Sequence, residues 1–67
     1  MIQLASDISV IKDGKRFICT AEQITVSGGL NVIYVADDGS IIKQEPMHRY
    51  KQRLRRRNGE RGYTLRV

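Results

Sequence analysis

Apolar and polar residues alternate over several short stretches of this chain, and each stretch is closed by a turn signal containing glycine. The signals are Lys12-Asp13-Gly14-Lys15, Val26-Ser27-Gly28-Gly29, Asp37-Asp38-Gly39-Ser40 and Asn58-Gly59-Glu60-Arg61-Gly62. Each places glycine, or a residue that tolerates positive φ, where a tight hairpin requires it. The stretches between them are rich in Ile, Val, Thr, Phe and Tyr, which predicts strands at Ile8 to Ile11, Arg16 to Val26, Leu30 to Ala36 and Ser40 to Glu45. Tyr63 to Val67 supplies a fifth. In the second strand Phe17, Cys19 and Ala21 share one face; in the third, Leu30, Val32, Tyr34 and Ala36 oppose Asn31, Ile33 and Val35. A strand apolar on both faces belongs inside a sheet rather than at its edge. The apolar phase of the second strand changes at Glu22-Gln23, so a bulge is expected there.

After Pro46 the period changes from two to three and four. Met47, Tyr50 and Leu54 form a narrow apolar seam, which predicts a helix from Met47 to Arg57. Pro46 suits the first helical position, where its missing N–H would have no partner anyway, and Asn58-Gly59 suits a left-handed stop. Arg49, Arg53 and Arg56 are expected on the side away from the seam.

The order is four strands joined by turns, a helical segment and a short last strand. Over Asp7 to Val67 this order resembles the small SH3-like and KOW-like barrels, a group that includes short phage-encoded regulators and nucleic-acid-associated proteins. The resemblance implies a mainly β fold with one short helix: a small five-stranded SH3-like barrel with a basic helix before the last strand. It implies no binding residues, because architecture does not carry function. The whole chain, 1–67, reads as a single small domain, with hairpins over 7–46, the helix over 47–57 and the final strand over 63–67.

Charge sharpens this picture. The chain has 67 residues, twelve Lys or Arg against seven Asp or Glu, and a formal charge of +5. From Met47 to Val67 there are eight Lys or Arg and one acid, Glu60; from Met1 to Pro46 there are four against six. A chain of this size buries only about 60% of its unfolded surface, which leaves little room for a deep, supported substrate cavity. Binding is therefore expected rather than catalysis. Cys19 is the one cysteine, so it forms no internal disulfide. The N-terminal residues lack a positive leader and a long apolar run, and no stretch reaches the roughly 20 apolar residues that span a bilayer. A cytoplasmic protein with no membrane association is expected.

The motifs of several catalytic classes are missing: no G-x-x-x-x-G-K-[ST] loop, no G-x-S-x-G elbow and no H-E-x-x-H pair. His48 sits in the basic block, where its neighbours oppose a second charge, and reads as a solvated helix residue. Cys19 alternates with Phe17 and Ala21 and reads as a buried thiol. Asp37-Asp38 could in principle hold a cation, but Gly39 makes a turn the better explanation. Gly28-Gly29 has no helix after it to supply a dipole to a phosphate. No cofactor and no metal are expected.

The block Met47 to Arg57 holds six of the twelve cations and no acid. Five of the six are Arg, whose planar fork pairs with phosphate or carboxylate in bidentate fashion. A face kept only for solubility would mix both signs. The expected function is that of a small nucleic-acid-binding regulator, with RNA and DNA both open as partners. Arg49, Lys51, Arg53, Arg55, Arg56 and Arg57 are the expected phosphate contacts, and Lys15, Arg16, Arg61 and Arg66 are expected to extend the patch. Tyr50 and Tyr63 are candidates for base stacking. The alternative is a small phage-type inhibitor or adaptor that binds an acidic surface of a larger protein, anchored by Ile33 and Val35 on an exposed side of the third strand. Assembly of copies into a homo-oligomer through sheet edges is compatible with either.

Overall fold

The computed structural model describes residues 2–56 and 64–67, except for the side chain of Arg56. Five strands and one helix follow in the order β1 (Ile2–Lys12), β2 (Lys15–Val26), β3 (Gly29–Ala36), β4 (Ile41–Pro46), α1 (Met47–Arg56) and β5 (Thr64–Arg66). The strands make one curled sheet, a half-barrel, in the order β4-β3-β2-β1-β5. The first four pair antiparallel with their sequence neighbours, and β5 runs parallel to β1. The mainly β class, the five strands and the helix before the last of them are as the sequence predicts.

The turns form for the reasons their residues supply. Asp13 and Gly14 both have positive φ, 53° and 76°, which matches the two-residue hairpin turn that brings Lys12 opposite Lys15. At the β3–β4 turn Gly39 adopts φ 88°, its N–H donates to the Ala36 carbonyl at 2.9 Å, and the Ser40 N–H donates to Asp38 Oδ1 at 2.9 Å. Asp37-Asp38 is thus a turn. No cluster of three metal-ligating side chains occurs among the described residues.

The sheet departs from expectation in two places. β1 begins at Ile2, six residues before the predicted start at Ile8, and the bulges lie in β1 and, between Ile41 and Lys43, in β4 rather than at Glu22-Gln23 of β2. The register shifts between Gln3 and Ala5 and again between Ala5 and Ile8, while β2 runs unbroken. Asp7, at φ 58°, lies within the second shift; Asp is among the residues that accept this conformation. Pro46 is the last residue of β4, paired with Asn31, and the helix starts one residue later. An edge strand tolerates proline because one side of it needs no donor.

The concave face carries the core: Ile8, Val10, Cys19, Ala21, Val32, Tyr34, Ile42 and Leu65, completed by Met47 and Tyr50 of α1. Leu54 packs against this cluster, so the predicted helical seam is the docking face. A ten-residue helix is marginal alone in water. Burial of Met47 and Tyr50 at about 1.5–3 kcal/mol per side chain outweighs like-charge repulsion of a few tenths of a kcal/mol per pair.

The other side of β3 is less open than predicted. Ile33 is only 4% exposed and Val35 is half-buried. Ile33 lies between Glu22 of β2 and Gln44 of β4, within the sheet rather than at its rim. Exposed apolar side chains on this convex side are Ile18 and Ile41, the latter opposite Val35. No described helix is long and apolar enough to cross a membrane.

Candidate functional site

The sequence of α1, Met47 to Arg56, contains no acid. With Met47, Tyr50 and Leu54 turned into the half-barrel, His48, Arg49, Lys51, Gln52 and Arg55 are exposed. The helix therefore presents a cationic outer surface on a docked, ordered element.

Arg53 does not belong to that surface, contrary to its expected place among the phosphate contacts. Its Nη1 donates to Glu45 Oε2 at 2.5 Å and to the Tyr34 hydroxyl at 3.3 Å. The Tyr34 hydroxyl in turn donates to the same Glu45 oxygen. Tyr34 is fully buried, Glu45 is 4% exposed and the Arg53 side chain 24%. The helical geometry explains the placement: at about 100° per residue, Arg53 lies about 60° from Tyr50, on the flank of the seam rather than opposite it. From that flank the length of its side chain lets the guanidinium reach Glu45. The three side chains fasten the helix to β3 and β4, and no buried side-chain nitrogen or oxygen among the described residues lacks a partner.

The remaining predicted contacts separate into groups. Arg49, Lys51 and Arg55 are exposed on the helix, and Arg56 is its last residue. Arg57 and Arg61 lie outside the described residues. Lys15 and Arg16 are exposed at the start of β2, and Arg66 is exposed on β5. Arg16 and Arg66 are both opposite Ile11 of β1, so they flank it on the convex face. The helix leaves the sheet at the other end, where Pro46 pairs with Asn31 and Asn31 with Ile24. Eight residues of β2 separate Arg16 from Ile24, roughly 26 Å at about 3.3 Å per residue. The hairpin cations and the departure point of the helix thus belong to opposite ends of the sheet.

Stacking on tyrosine or phenylalanine has no support among the described residues, where His48 is the one exposed ring. Tyr34 and Tyr50 are buried, Phe17 is half-buried, and Tyr63 lies outside the described region. Other reactive groups have structural tasks. Burial pushes the Cys19 thiol pKa up and Asp37 adds to the shift, which keeps the sulfur protonated and a poor nucleophile. Asp38 titrates below the ordinary aspartate range, chiefly because its carboxylate accepts the Ser40 N–H. A shallow depression of about 480 Å³ is lined by Ile2, Gln23, Ile24 and Thr25, none of them an acid, a base or a nucleophile.

Sequence reasoning missed Glu45. A signal was available: the acid precedes Pro46 and a helix of one sign, and a lone acid in that position invites a partner from the first turns. The sequence matches no family model, and neither a curated protein nor a solved structure shows significant similarity to it.

Proposed function

We propose that this chain is a small nucleic-acid-binding regulator that contacts the phosphate backbone with the outer surface of α1. The single observation that carries this reading is the disposition of charge on the helix. Arg49, Lys51 and Arg55 are exposed, the helix contains no acid, and Arg53, the one arginine with an internal carboxylate partner among the described residues, faces the sheet. A docked helix holds these cations in fixed relative positions, so less freedom is lost when phosphates bind. The element order, which resembles the small SH3-like barrels of short phage-type regulators, is consistent with the same class.

Fluorescence anisotropy with labelled duplex DNA, single-stranded DNA and an RNA hairpin, each across a range of salt, tests the reading. Three helix cations neutralising three phosphates give a slope of log K against log salt of about −3 on duplex DNA, and further contacts steepen it. R49E/R55E abolishes binding. R16E/R66E, at the other end of the sheet, leaves most of it. A slope near zero, or full binding by R49E/R55E, refutes the proposal.

A second reading, a small inhibitor or adaptor for an acidic protein surface, is favoured by one observation: Ile18 and Ile41 are exposed on the convex face around half-buried Val35. Ile33, buried in the sheet, is no anchor for it. Under this reading I41D removes partner binding and R49E/R55E does not.

A further inference from the structure

The helix carries two exposed residues that the charge argument leaves unused, His48 and Gln52, and Gln52 lies farther from the docked seam. Gln52 is uncharged, exposed and almost directly opposite the mean direction of Met47, Tyr50 and Leu54, so it forms the crest of the helix. Arg49 and Arg55 lie three residues before and after it, each turned about 60° from it and to opposite sides. They are about 9 Å apart along the axis at about 1.5 Å per residue. An amide on the crest with an arginine on each flank is the arrangement that an elongated groove with a phosphate wall on each side would receive.

Three observations narrow the ligand, given the nucleic-acid reading on which this inference rests. First, an α-helix with side chains is about 10–12 Å across and the major groove of B-DNA about 12 Å wide, whereas the A-form major groove is too deep and narrow for side-chain readout. Second, single strands are held largely by successive bases stacking on exposed rings, and among the described residues the His48 imidazole is the one exposed ring, with Tyr34 and Tyr50 buried and Phe17 half-buried. Third, a carboxamide offers one acceptor and one donor group side by side, which matches N6 and N7 of adenine in the major groove. Arginine and lysine on the flanks position the helix but carry no sequence information through phosphates.

We infer that Gln52 is a specificity-determining residue that reads an adenine edge in the major groove of duplex DNA, with Arg49 and Arg55 clamping the phosphates on either side. The chain would then distinguish sequences and not merely coat DNA. A binding register with an A·T pair beneath the crest follows from the position of Gln52 at the centre of the exposed surface.

The test is selection by the full chain from a randomised duplex pool at physiological salt, repeated with Q52A, followed by anisotropy on the selected and unselected duplexes. The wild-type chain enriches a sequence containing an A·T pair at one fixed position. Q52A loses about 5- to 150-fold of the preference at that pair, while its affinity for unselected duplex and its salt slope stay within twofold of wild type. Circular dichroism of Q52A is unchanged because the residue packs against nothing in the core. The inference is overturned, with the nucleic-acid reading intact, if wild type binds duplex with a steep salt slope but enriches no sequence. Retention of the selected sequence by Q52A, or stronger wild-type binding to the RNA hairpin or the single strand than to duplex, has the same meaning. If none of the nucleic acids binds, the underlying reading falls and the inference falls with it.

Discussion

Replacing Arg53 with Met removes the charge that faces Glu45 and keeps most of the aliphatic stem, so it isolates the electrostatic part of the latch. Glu45 is 4% exposed and would keep a single neutral donor, the Tyr34 hydroxyl. Breaking a buried pair by removing one partner costs about 3–5 kcal/mol. The Arg53 side chain is 24% exposed, so solvent screens part of the interaction and about 2–4 kcal/mol is the working figure. At about 0.05–0.15 kcal/mol per residue, a domain of this length has about 3–10 kcal/mol in total, and R53M removes a large share of it. Urea melts followed by far-UV circular dichroism, with a slope of about 1 kcal/mol/M for so small a protein, should show the midpoint falling by about 2 M or more. The triple variant Y34F/E45L/R53M removes all three polar groups together. It should recover to within about 1 kcal/mol of wild type, because an apolar replacement leaves nothing buried and unpaired. A loss below about 1 kcal/mol for R53M would place the pair among ordinary surface ion pairs and refute the argument.

Further outcomes are open to direct measurement. Gly39→Ala, at φ 88°, should cost about 1–2 kcal/mol in the same melts. Gly28→Ala, with open space around the added carbon and no positive φ, should be neutral or slightly stabilising. Cys19 should react with a thiol reagent only slowly in the native protein and fully in denaturant, since burial raises its pKa and hides the sulfur; fast native labelling would contradict the packing. Asp38 should titrate by NMR below the ordinary aspartate range. Its folded pKa is depressed, so its contribution is present above the unfolded value and is lost as pH falls through the folded one, and D38A should flatten that part of the stability–pH curve.

The parts of the fold that were legible in the sequence are those in which a local signal and the tertiary environment agree. Asp13-Gly14 and Asp37-Asp38-Gly39 specify their turns through backbone conformation alone, and Met47, Tyr50 and Leu54 specify the docked face of α1 through spacing alone. The first half of β1 was hidden because two register shifts within it scramble the period of two. Its presence is implied indirectly: β2 is twelve residues long, and its second half needs a neighbour on each side. Ile33 was misjudged because alternation assigns a face but not what covers it. For the site, the exposed cations of the helix were legible as a charge run, whereas the role of Arg53 depends on a carboxylate eight residues away that only the β4–α1 junction brings within reach. Counting arginines overstated the outer surface for that reason.

The parallel pairing of β5 with β1 has a consequence for the order in which the molecule assembles. Every other strand pair joins sequence neighbours through a tight turn, so those contacts close short loops and can form early. Thr64 meets Ser9, and the Val67 N–H reaches the Ile11 carbonyl, across more than fifty residues of intervening chain. That closure is entropically the most expensive in the molecule and joins only three residue pairs. The meander β1–β4 is therefore expected to form first, and β5, with Leu65, to dock last and open first. A chain whose final strand is still undocked exposes the free edge of β1 to any other extended segment, so the last few residues also protect the protein against pairing with the wrong strand.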